Sequence, residues 1–338
     1  MTKELVNHSF RTVIKTSRSN VQLDHKNQIL SLGSCFANHI GNRLKNLKFN
    51  ILLNPFGTLY NPVSIFNSVR ILGQKKHFGE TDLIFHQGIY SSWYHHSDFS
   101  SMNAQDCLSK INQAIVGANH FLQYTDRVLI TYGTARVYNL KSNGETVSNC
   151  HKIPASEFIH QCLNVAQIQL CIEETIGLLQ KFNPAMKIIL TVSPIRHLKD
   201  GFEGNMLSKA SLIVAIHQII SSNPDVFYFP SYEILMDDLR DYRFYEKDML
   251  HPNEQAIDYI WMNFIDSLIS EDSKNTLPEI DRIMKALAHR PSYPNSPEHI
   301  SFCEKINKWI ENLHQIAPYI NFESEIGLLN SQRNEYRT

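Results

Sequence analysis

Five short apolar segments, separated by helical patterns, constrain the fold of this 338-residue chain more than any other feature. They span residues 28–32, 49–53, 127–132, 187–192 and 226–229, and each is rich in Ile, Leu, Val or aromatic residues. Runs of this length are typical of strands that are buried on both faces of a parallel sheet. Because helical stripes such as 36–47 and 257–268 alternate with them, the sequence predicts an α/β fold. We expect three layers, α/β/α, around a five-stranded parallel sheet in the flavodoxin-like order 2-1-3-4-5.

The chain is expected to divide into a main domain and an extension, since its length exceeds what one hydrophobic core usually serves. We assign residues 1–270 to the α/β domain. The stretch 74–125 is too long for a simple crossover, and its aromatic part LIFHQGIYSSWYHH (83–96) alternates, so we predict an inserted hairpin or lid. Residues 271–299 are polar and hold four prolines, and an apolar stripe from Phe302 to Leu313 follows. Residues 271–338 are therefore predicted to form a helical C-terminal extension.

Composition excludes several classes of function. The chain is 43% hydrophobic and 19% charged, with a formal net charge of −1, so neither nucleic acid nor a membrane is expected as a partner. No apolar stretch approaches the roughly 20 residues that span a bilayer, and the N-terminus lacks the apolar core of a signal peptide, so we expect a cytoplasmic protein. The six cysteines have no C-x-x-C spacing and are interpreted as free thiols. We predict no metal and no organic cofactor.

The segment SLGSCFA (31–37) is the first candidate for chemistry. It lies at the carboxyl end of the first predicted strand, where open parallel sheets bind ligands. The free N–H groups at the start of the following helix would favour a thiolate or an oxyanion. Each residue also has a purely structural interpretation: Gly33 as a turn residue, Ser34 as a helix N-cap and Cys35 as a small buried side chain. Taken alone, the segment favours the structural interpretation.

A second segment, DMLHPN (248–253), changes that balance. An aspartate and a histidine three residues apart at a helix entry can place the carboxylate against one imidazole nitrogen. That contact fixes the tautomer and leaves the other nitrogen as a general base. Because the segment follows the last strand and SLGSCFA follows the first, the two are predicted to meet at one edge of the sheet.

These two segments and four others resemble the GSCFA family of the SGNH, or GDSL-like, hydrolase superfamily. The four are NPFGTLYNP (54–62), YGTARVY (132–138), TVSPIRH (191–197) and LRDYRFY (239–245). The resemblance covers about residues 28–268 and implies the SGNH hydrolase fold. It also implies an acyl-transfer activity, either that of an esterase (an acetylesterase, for example) or that of an acyltransferase.

The resemblance also implies roles for individual residues. Gly33 matches the first glycine of the superfamily, and Cys35 falls at the position of the nucleophile, with Ser34 as the alternative. Asp248 and His251 match the acid and the base without alteration. The catalytic candidates are therefore one thiol or hydroxyl, one imidazole and one carboxylate.

The oxyanion hole departs from the superfamily pattern. Gly57 matches the glycine whose N–H helps to form it, and Gly133 matches the glycine of the third conserved block. Ala135 stands where that block carries an asparagine. Thr134, Asn54 or a backbone N–H is expected to replace the lost donor, which is typically worth about 100- to 1000-fold in rate.

Further polar residues are predicted to line the pocket at the strand ends. The candidates for substrate binding are Gly33, Tyr60, Asn61, Arg136, Arg196, His197 and Asn205. Arg196 and His197 follow the fourth strand directly, a position that suits an anionic or sugar-like substrate. His95 and His96 either reach over the site from the inserted segment or are solvated loop residues.

The sequence thus predicts acyl transfer on a small-molecule or carbohydrate acyl ester. Two alternatives stay open. The first is a ligand-binding module that has kept the fold and lost turnover, which the exchange at Ala135 favours. The second is a structural or interaction protein whose C-terminal helices hold a partner. Acyl length, acceptor and oligomeric state do not follow from the sequence.

Overall fold

The structure, a computed structural model, describes residues 12–289, 293 and 296–335. Its strands are β1 Gln28–Gly33, β2 Asn50–Leu53, β3 Ile84–His86, β4 Ile89–Ser91, β5 Arg127–Tyr132, β6 Arg136–Leu140, β7 Thr146–Val147, β8 Phe158–Cys162, β9 Lys187–Val192 and β10 Val226–Phe229. Its α-helices are α1 Cys35–Asn46, α2 Pro62–Gln74, α3 Ala104–Leu122, α4 Val165–Phe182, α5 Gly201–Ile220, α6 Ser231–Glu233, α7 Glu254–Leu268, α8 Glu271–Ala288, α9 Pro297–Ile316 and α10 Glu323–Glu335. Within these described parts, none of the helices is both long and apolar enough to cross a bilayer.

The central sheet has five parallel strands in the order β2-β1-β5-β9-β10. Numbered along the chain, these five strands follow the order 2-1-3-4-5, so the predicted fold class and strand order are confirmed. β1 pairs with β5 from Ile29 to Gly33, and Gly33 lies opposite Thr131 at the end of the ladder. The carboxyl ends of β1, β5 and β9 consequently meet at one edge.

The sheet is covered by helices on both faces because its central strands place apolar side chains on both faces. Leu30, Val128 and Ile188 belong to one buried cluster, together with residues of α2, α3, α4 and α5. The neighbouring residues Ile29 and Leu129 point to the other face and join a second cluster with α1 and α7. This alternation with a period of two residues produces the three layers.

Two small sheets lie outside the central one. β3 and β4 form an antiparallel hairpin within the segment that connects β2 to α3. β6, β7 and β8 form a three-stranded antiparallel sheet after β5, with Tyr138 of β6 opposite His160 of β8. Sequence analysis did not find this second sheet, because its strands mix polar and apolar residues and none forms an apolar run.

The C-terminal helices have their own buried cluster, which includes Ile283, Ile306 and Ile310. The polar segment after residue 270 is not broken by its first proline, because α8 continues through Pro278 to Ala288. The buried side chains of α8 sustain this helix despite the N–H group that the proline lacks. Pro291 and Pro294 lie outside the described residues. The boundary at residue 270 stays a prediction.

Candidate active site

A pocket of about 470 Å³ opens at the carboxyl edge of the central sheet. Its lining includes Ser34 and Cys35 after β1, Thr134 after β5, and Arg196 and His197 after β9. His251 lines the same pocket from the loop before α7. Residues from these four separate sequence segments therefore converge at the edge where the parallel strands end, which is where doubly wound sheets bind their ligands.

Gly33 determines how the chain turns from β1 into α1. Its φ of +139° lies in a region that favours glycine, and a Cβ atom there would lie 2.2 Å from the carbonyl oxygen of Thr131. Its N–H donates to Asn54 Oδ1 at 2.8 Å. Gly33 was predicted to contact substrate, but it does not line the pocket; it shapes the turn.

Ser34 occupies the N-cap position of α1, and its side chain does not act as a cap. Its carbonyl oxygen accepts a hydrogen bond from the Ala37 N–H at 2.8 Å. The hydroxyl is buried and has no hydrogen-bond partner among the described residues. The expectation that Ser34 caps the helix through its hydroxyl is therefore wrong. The backbone enters the helix in the usual extended conformation, but the hydroxyl makes no bond to a free N–H group.

Cys35 is the first residue of α1 and is half-buried at the pocket wall. Its Sγ lies 3.4 Å from the hydroxyl oxygen of Tyr60. Burial, followed by the hydrogen bond to Cys35, raises the pKa of Tyr60 well above its ordinary value, so the phenol keeps its proton. Cys35 thus presents a thiol to the pocket, at a helix N-terminus and beside a hydrogen-bond donor.

Asp248 and His251 form the predicted dyad. His251 Nδ1 lies 2.6 Å from Asp248 Oδ2, and Asp248 Oδ1 accepts the backbone N–H groups of Leu250 and His251 at 2.9 and 3.0 Å. The backbone N–H of His251, then that of Leu250 and then the ring, lower the pKa of Asp248 to about 2. The ionised carboxylate holds the proton on Nδ1 and leaves Nε2 as the acceptor.

The dyad reaches the pocket through a tight turn. Met249, between the two residues, has a φ of +60°, and Asn253 caps α7 by accepting the Ala256 N–H at 3.0 Å. Among the described residues, no hydrogen bond joins His251 Nε2 to Cys35 or to Ser34. Bonds between a catalytic base and its nucleophile often form only when substrate is bound, so shared lining of one pocket is the relevant geometry here.

Two of the predicted oxyanion donors are engaged elsewhere. The Gly57 N–H donates to the Asn54 carbonyl oxygen at 2.7 Å, and Gly57 does not line the pocket. The Asn54 side chain accepts the Gly33 N–H and donates to Asn38 Oδ1 at 2.7 Å. These bonds brace the turn after β2 against the end of β1. The Gly57 N–H is therefore engaged, and neither Gly57 nor Asn54 lines the pocket.

Thr134 and Asn61 remain as donors in the pocket. Thr134 Oγ1 lies 3.0 Å from Ser208 Oγ and accepts the Arg136 N–H at 3.1 Å. If the Ser208 hydroxyl donates this bond, the Thr134 hydroxyl proton is left for the pocket. Asn61 caps α2, since its Oδ1 accepts the Ser64 N–H at 2.9 Å, and its Nδ2 has no bond within the described part of the chain.

Arg196 and His197 line the pocket as predicted from their position after β9. Arg196 donates to the Tyr245 hydroxyl at 2.7 Å and contacts Met236 Sδ at 2.9 Å. Burial, followed by the nearby charge of Lys209, lowers the pKa of His197 to about 4, so its ring is neutral. Asn205 was predicted to contact substrate, but it is buried and instead accepts the His197 N–H at 2.9 Å.

The wall opposite Cys35 was largely missed by sequence analysis. It consists of Tyr138 and His160 from the three-stranded sheet, which stack with their ring centroids 4.3 Å apart, and of Lys199 and Asp200 from the loop after β9. Arg136 was predicted and contributes an ion pair with Asp200 at 3.2 Å. The antiparallel pairing of β6 with β8 brings Tyr138 and His160 together, and no local pattern indicates it.

The two histidines of the inserted segment have different environments. His96 lines the pocket and pairs with Asp98 at 3.0 Å. His95 is fully buried against Phe56, and burial lowers its pKa to about 3. Only His96 therefore reaches the site.

Lys209 is a buried cation behind the pocket. Its Nζ donates to the carbonyl oxygens of Gly133 and Ser193 at 2.6 and 2.7 Å, so it links the ends of β5 and β9. Burial lowers its pKa to about 7, and the charge of Arg196 acts in the same direction.

In the parts of the chain that the structure describes, no group of three or more His, Cys, Asp or Glu side chains could hold a metal ion.

Comparisons with known proteins place the chain in one family. A search of curated proteins found no match. Among solved structures, the chain is similar to a carbohydrate esterase family 3 protein from Talaromyces cellulolyticus, with 10% identity, a TM-score of 0.35 and coverage of 77% of this chain and 98% of that one. It is also similar to the acetyl xylan esterase Est2A from the rumen bacterium Butyrivibrio proteoclasticus, with 12% identity, a TM-score of 0.33 and coverage of 76% of this chain and 64% of that one. A model of the C-terminal domain of GSCFA domain proteins matches residues 280–335. Because a model of the GSCFA family matches residues 28–264, most of its length, this chain belongs to the GSCFA family.

Proposed function

We propose that this protein is an acyl-transfer enzyme that cleaves an ester or thioester of a small or carbohydrate-linked acyl group. One observation carries the proposal: the half-buried Cys35 thiol and His251, whose Nδ1 is bonded to the ionised Asp248 carboxylate, line one pocket. A thiol, an imidazole and a carboxylate in this order are the groups that nucleophilic acyl transfer requires.

In the first half-reaction, Cys35 Sγ attacks the carbonyl carbon while His251 Nε2 accepts the thiol proton. A carbon–sulfur bond forms and the carbonyl oxygen becomes an oxyanion. When the intermediate collapses, the carbon–oxygen bond of the ester breaks and His251 returns the proton to the leaving oxygen. The products of this step are an alcohol and an S-acyl Cys35.

In the second half-reaction, a water molecule or an acceptor alcohol attacks the thioester carbonyl, and His251 again removes the proton. The carbon–sulfur bond then breaks, and His251 returns this proton to Cys35 Sγ, which regenerates the free thiol. Water gives a carboxylic acid, so the enzyme acts as a hydrolase, whereas an alcohol gives a new ester, so it acts as an acyltransferase. Asp248 orients the ring and stabilises the imidazolium in both steps.

The backbone N–H of Cys35, the Thr134 hydroxyl and Asn61 Nδ2 are the donors that we assign to the oxyanion. The Cys35 N–H belongs to the first turn of α1, has no hydrogen-bond acceptor among the described residues and benefits from the helix dipole. Asn61 offers an amide donor, which is what Ala135 lacks. Gly57 and Asn54 are not included, because neither lines the pocket and the Gly57 N–H is already bonded.

Cys35 is a better nucleophile than Ser34 on grounds of access. The Ser34 hydroxyl oxygen is buried, whereas the Cys35 side chain is half-buried at the pocket. A thiol is also the more nucleophilic group once a base is adjacent.

The test is to incubate the full-length protein with p-nitrophenyl acetate and to follow both p-nitrophenolate release and the protein mass. We expect an acetyl adduct on Cys35, and we expect Cys35→Ala and His251→Ala to lower turnover at least about 100-fold. Cys150 is a matched control, because it is half-buried and lines the same pocket. Turnover that survives Cys35→Ala, or an adduct on Cys150, would contradict the proposal.

The alternative of a binding module without turnover has one observation in its favour. Ala135 is buried and its N–H donates to Ser208 Oγ, so the third conserved block contributes no side-chain donor at that position. Acyl ligands that bind to the pocket without any adduct or release would support this alternative.

A further inference from the structure

The pocket carries more positive than negative charge. Three cationic side chains line it, Arg136, Arg196 and Lys199, and the lining holds one carboxylate, that of Asp200. Asp200 pairs with Arg136 at 3.2 Å. Within the described residues, neither Arg196 nor Lys199 has a carboxylate within ion-pair distance. The lining therefore has two cations that no acid balances.

The other acid near the pocket does not cancel this excess. The Asp248 carboxylate accepts two backbone N–H groups and the His251 ring, so its hydrogen-bonding capacity is largely used within its own turn. Behind the pocket, Lys209 donates to two backbone carbonyl oxygens. His197, whose pKa the charge of Lys209 helps to lower, is neutral at physiological pH and adds no charge of its own.

Arg196 is held in position by neutral partners. One guanidinium nitrogen donates to the Tyr245 hydroxyl and another contacts Met236 Sδ, and the group lies 5.4 Å from the centre of the Tyr245 ring. Two of its five N–H groups are thus engaged, and the side chain is only half-buried. A guanidinium that is oriented but not neutralised is well suited to a planar oxyanion.

We propose that the substrate of this site is an ester whose non-reacting part carries an anionic group, a carboxylate or a phosphate, which binds to Arg196. The inference rests on the proposed function and narrows its substrate class. Lys199, bonded to Tyr138 at 2.6 Å on the opposite wall, adds long-range attraction for the same charge.

The kinetic test compares esters that differ in charge: 4-acetoxybenzoate, 4-acetoxyphenyl phosphate and the neutral methyl 4-acetoxybenzoate. We expect kcat/KM to be about tenfold to a hundredfold higher for at least one anionic ester, the size of a charge-assisted hydrogen bond. Arg196→Gln should raise KM for the anionic esters much more than for the neutral ester, and so remove this preference. Arg196→Lys should restore part of it.

Arg282→Gln is the control for a lost charge, since Arg282 pairs with Glu279 in α8, outside the pocket. The Arg282→Gln variant should keep the higher kcat/KM for the anionic ester. Equal kcat/KM values for the charged and neutral esters in the natural protein would overturn the inference. So would an equal loss for all three esters in Arg196→Gln, because Arg196 would then act only by holding Tyr245.

A binding measurement separates this inference from the proposed function. Calorimetry with 4-hydroxybenzoate, phenyl phosphate and neutral 4-hydroxybenzamide tests the anion site without turnover. Binding of an anion that depends on Arg196, with no hydrolysis of any ester, would support the anion site and refute the enzyme. Hydrolysis of all three esters without any charge preference would support the enzyme and refute the anion site. The absence of Arg196-dependent anion binding and of any charge preference would refute the inference.

Discussion

Replacement of Ser34 by alanine tests the geometry at the start of α1. An N-cap serine normally stabilises a helix because its hydroxyl accepts a free N–H, and its loss costs about 1 kcal/mol. Here the hydroxyl is buried without a partner in the described structure. We therefore expect Ser34→Ala to stabilise the protein, the opposite of what the sequence position alone predicts.

The magnitude follows from the state of the hydroxyl. A buried polar group without a partner costs about 1–3 kcal/mol relative to its hydrated state. Alanine removes that cost and loses the packing of one oxygen atom, so the net gain should be about 1 kcal/mol. In a domain of this size, a change of that amount raises Tm by about 2 to 4 °C.

Calorimetric unfolding of the full-length protein measures this effect. Ser296 is a matched control, because it caps α9 through its side chain, which accepts the His299 N–H at 3.2 Å. Ser296→Ala should lower the free energy of unfolding by about 1 kcal/mol. If Ser34→Ala lowers stability as Ser296→Ala does, the hydroxyl makes a cap bond and the reasoning fails.

The same variant bears on the chemistry. Ser34→Ala should retain most of the ester turnover, whereas Cys35→Ala should lose it. If Ser34→Ala abolishes turnover and Cys35→Ala retains it, the nucleophile is the serine. The match of Cys35 to the nucleophile of the superfamily would then be displaced by one residue.

Three further outcomes are expected. Iodoacetamide should label Cys35 before the other five cysteines, because burial raises the pKa of each of those thiols, and peptide mass spectrometry measures the order. Gly33→Ala should lower the free energy of unfolding by at least about 2 kcal/mol, since its Cβ would collide with the Thr131 carbonyl; unchanged stability in urea would contradict this. Burial lowers the pKa of Lys209 to about 7, so the unfolded chain holds this proton to higher pH than the folded protein does. Stability should therefore rise between pH 7 and 10 relative to Lys209→Met, by at most about 1.4 kcal/mol per pH unit.

The fold was predictable because its determinants are local. Each central strand is a short, mainly apolar run, because side chains such as Leu30 and Ile29 are buried on opposite faces of the sheet. Such a run is recognisable in the sequence without any contact to distant residues. The sheet of β6, β7 and β8 has no such run. Tyr138 and His160 belong to strands whose pairing depends on a turn and on contacts with the rest of the pocket. Such pairing is set by tertiary contacts, which a single sequence does not display.

In the candidate site, too, local features were predictable from the sequence and features that depend on tertiary contacts were not. The Asp248–His251 pair was predictable because both residues lie in one turn, whose geometry follows from their spacing. Gly57 and Asn54 fit a family motif, yet neither lines the pocket: the Gly57 N–H donates to the Asn54 carbonyl oxygen, and Asn54 Oδ1 accepts the Gly33 N–H at the end of β1. A motif identifies which residues are present at a strand end. It does not identify which of their hydrogen-bonding groups remain unused once the strands are assembled.

The same distinction applies to the proposed oxyanion hole, in which Ala135 stands where the SGNH pattern has an asparagine. The Ala135 N–H and the Thr134 hydroxyl both meet Ser208, so the third conserved block is bound to α5. Tyr60 and Asn61, in the loop after β2, face the same pocket from the other side of Cys35. Because Asn61 Oδ1 accepts the Ser64 N–H in the first turn of α2, the side-chain Nδ2 of Asn61 is the group that is left for a ligand. An amide donor is thus retained in the pocket, supplied by the second strand loop instead of the third.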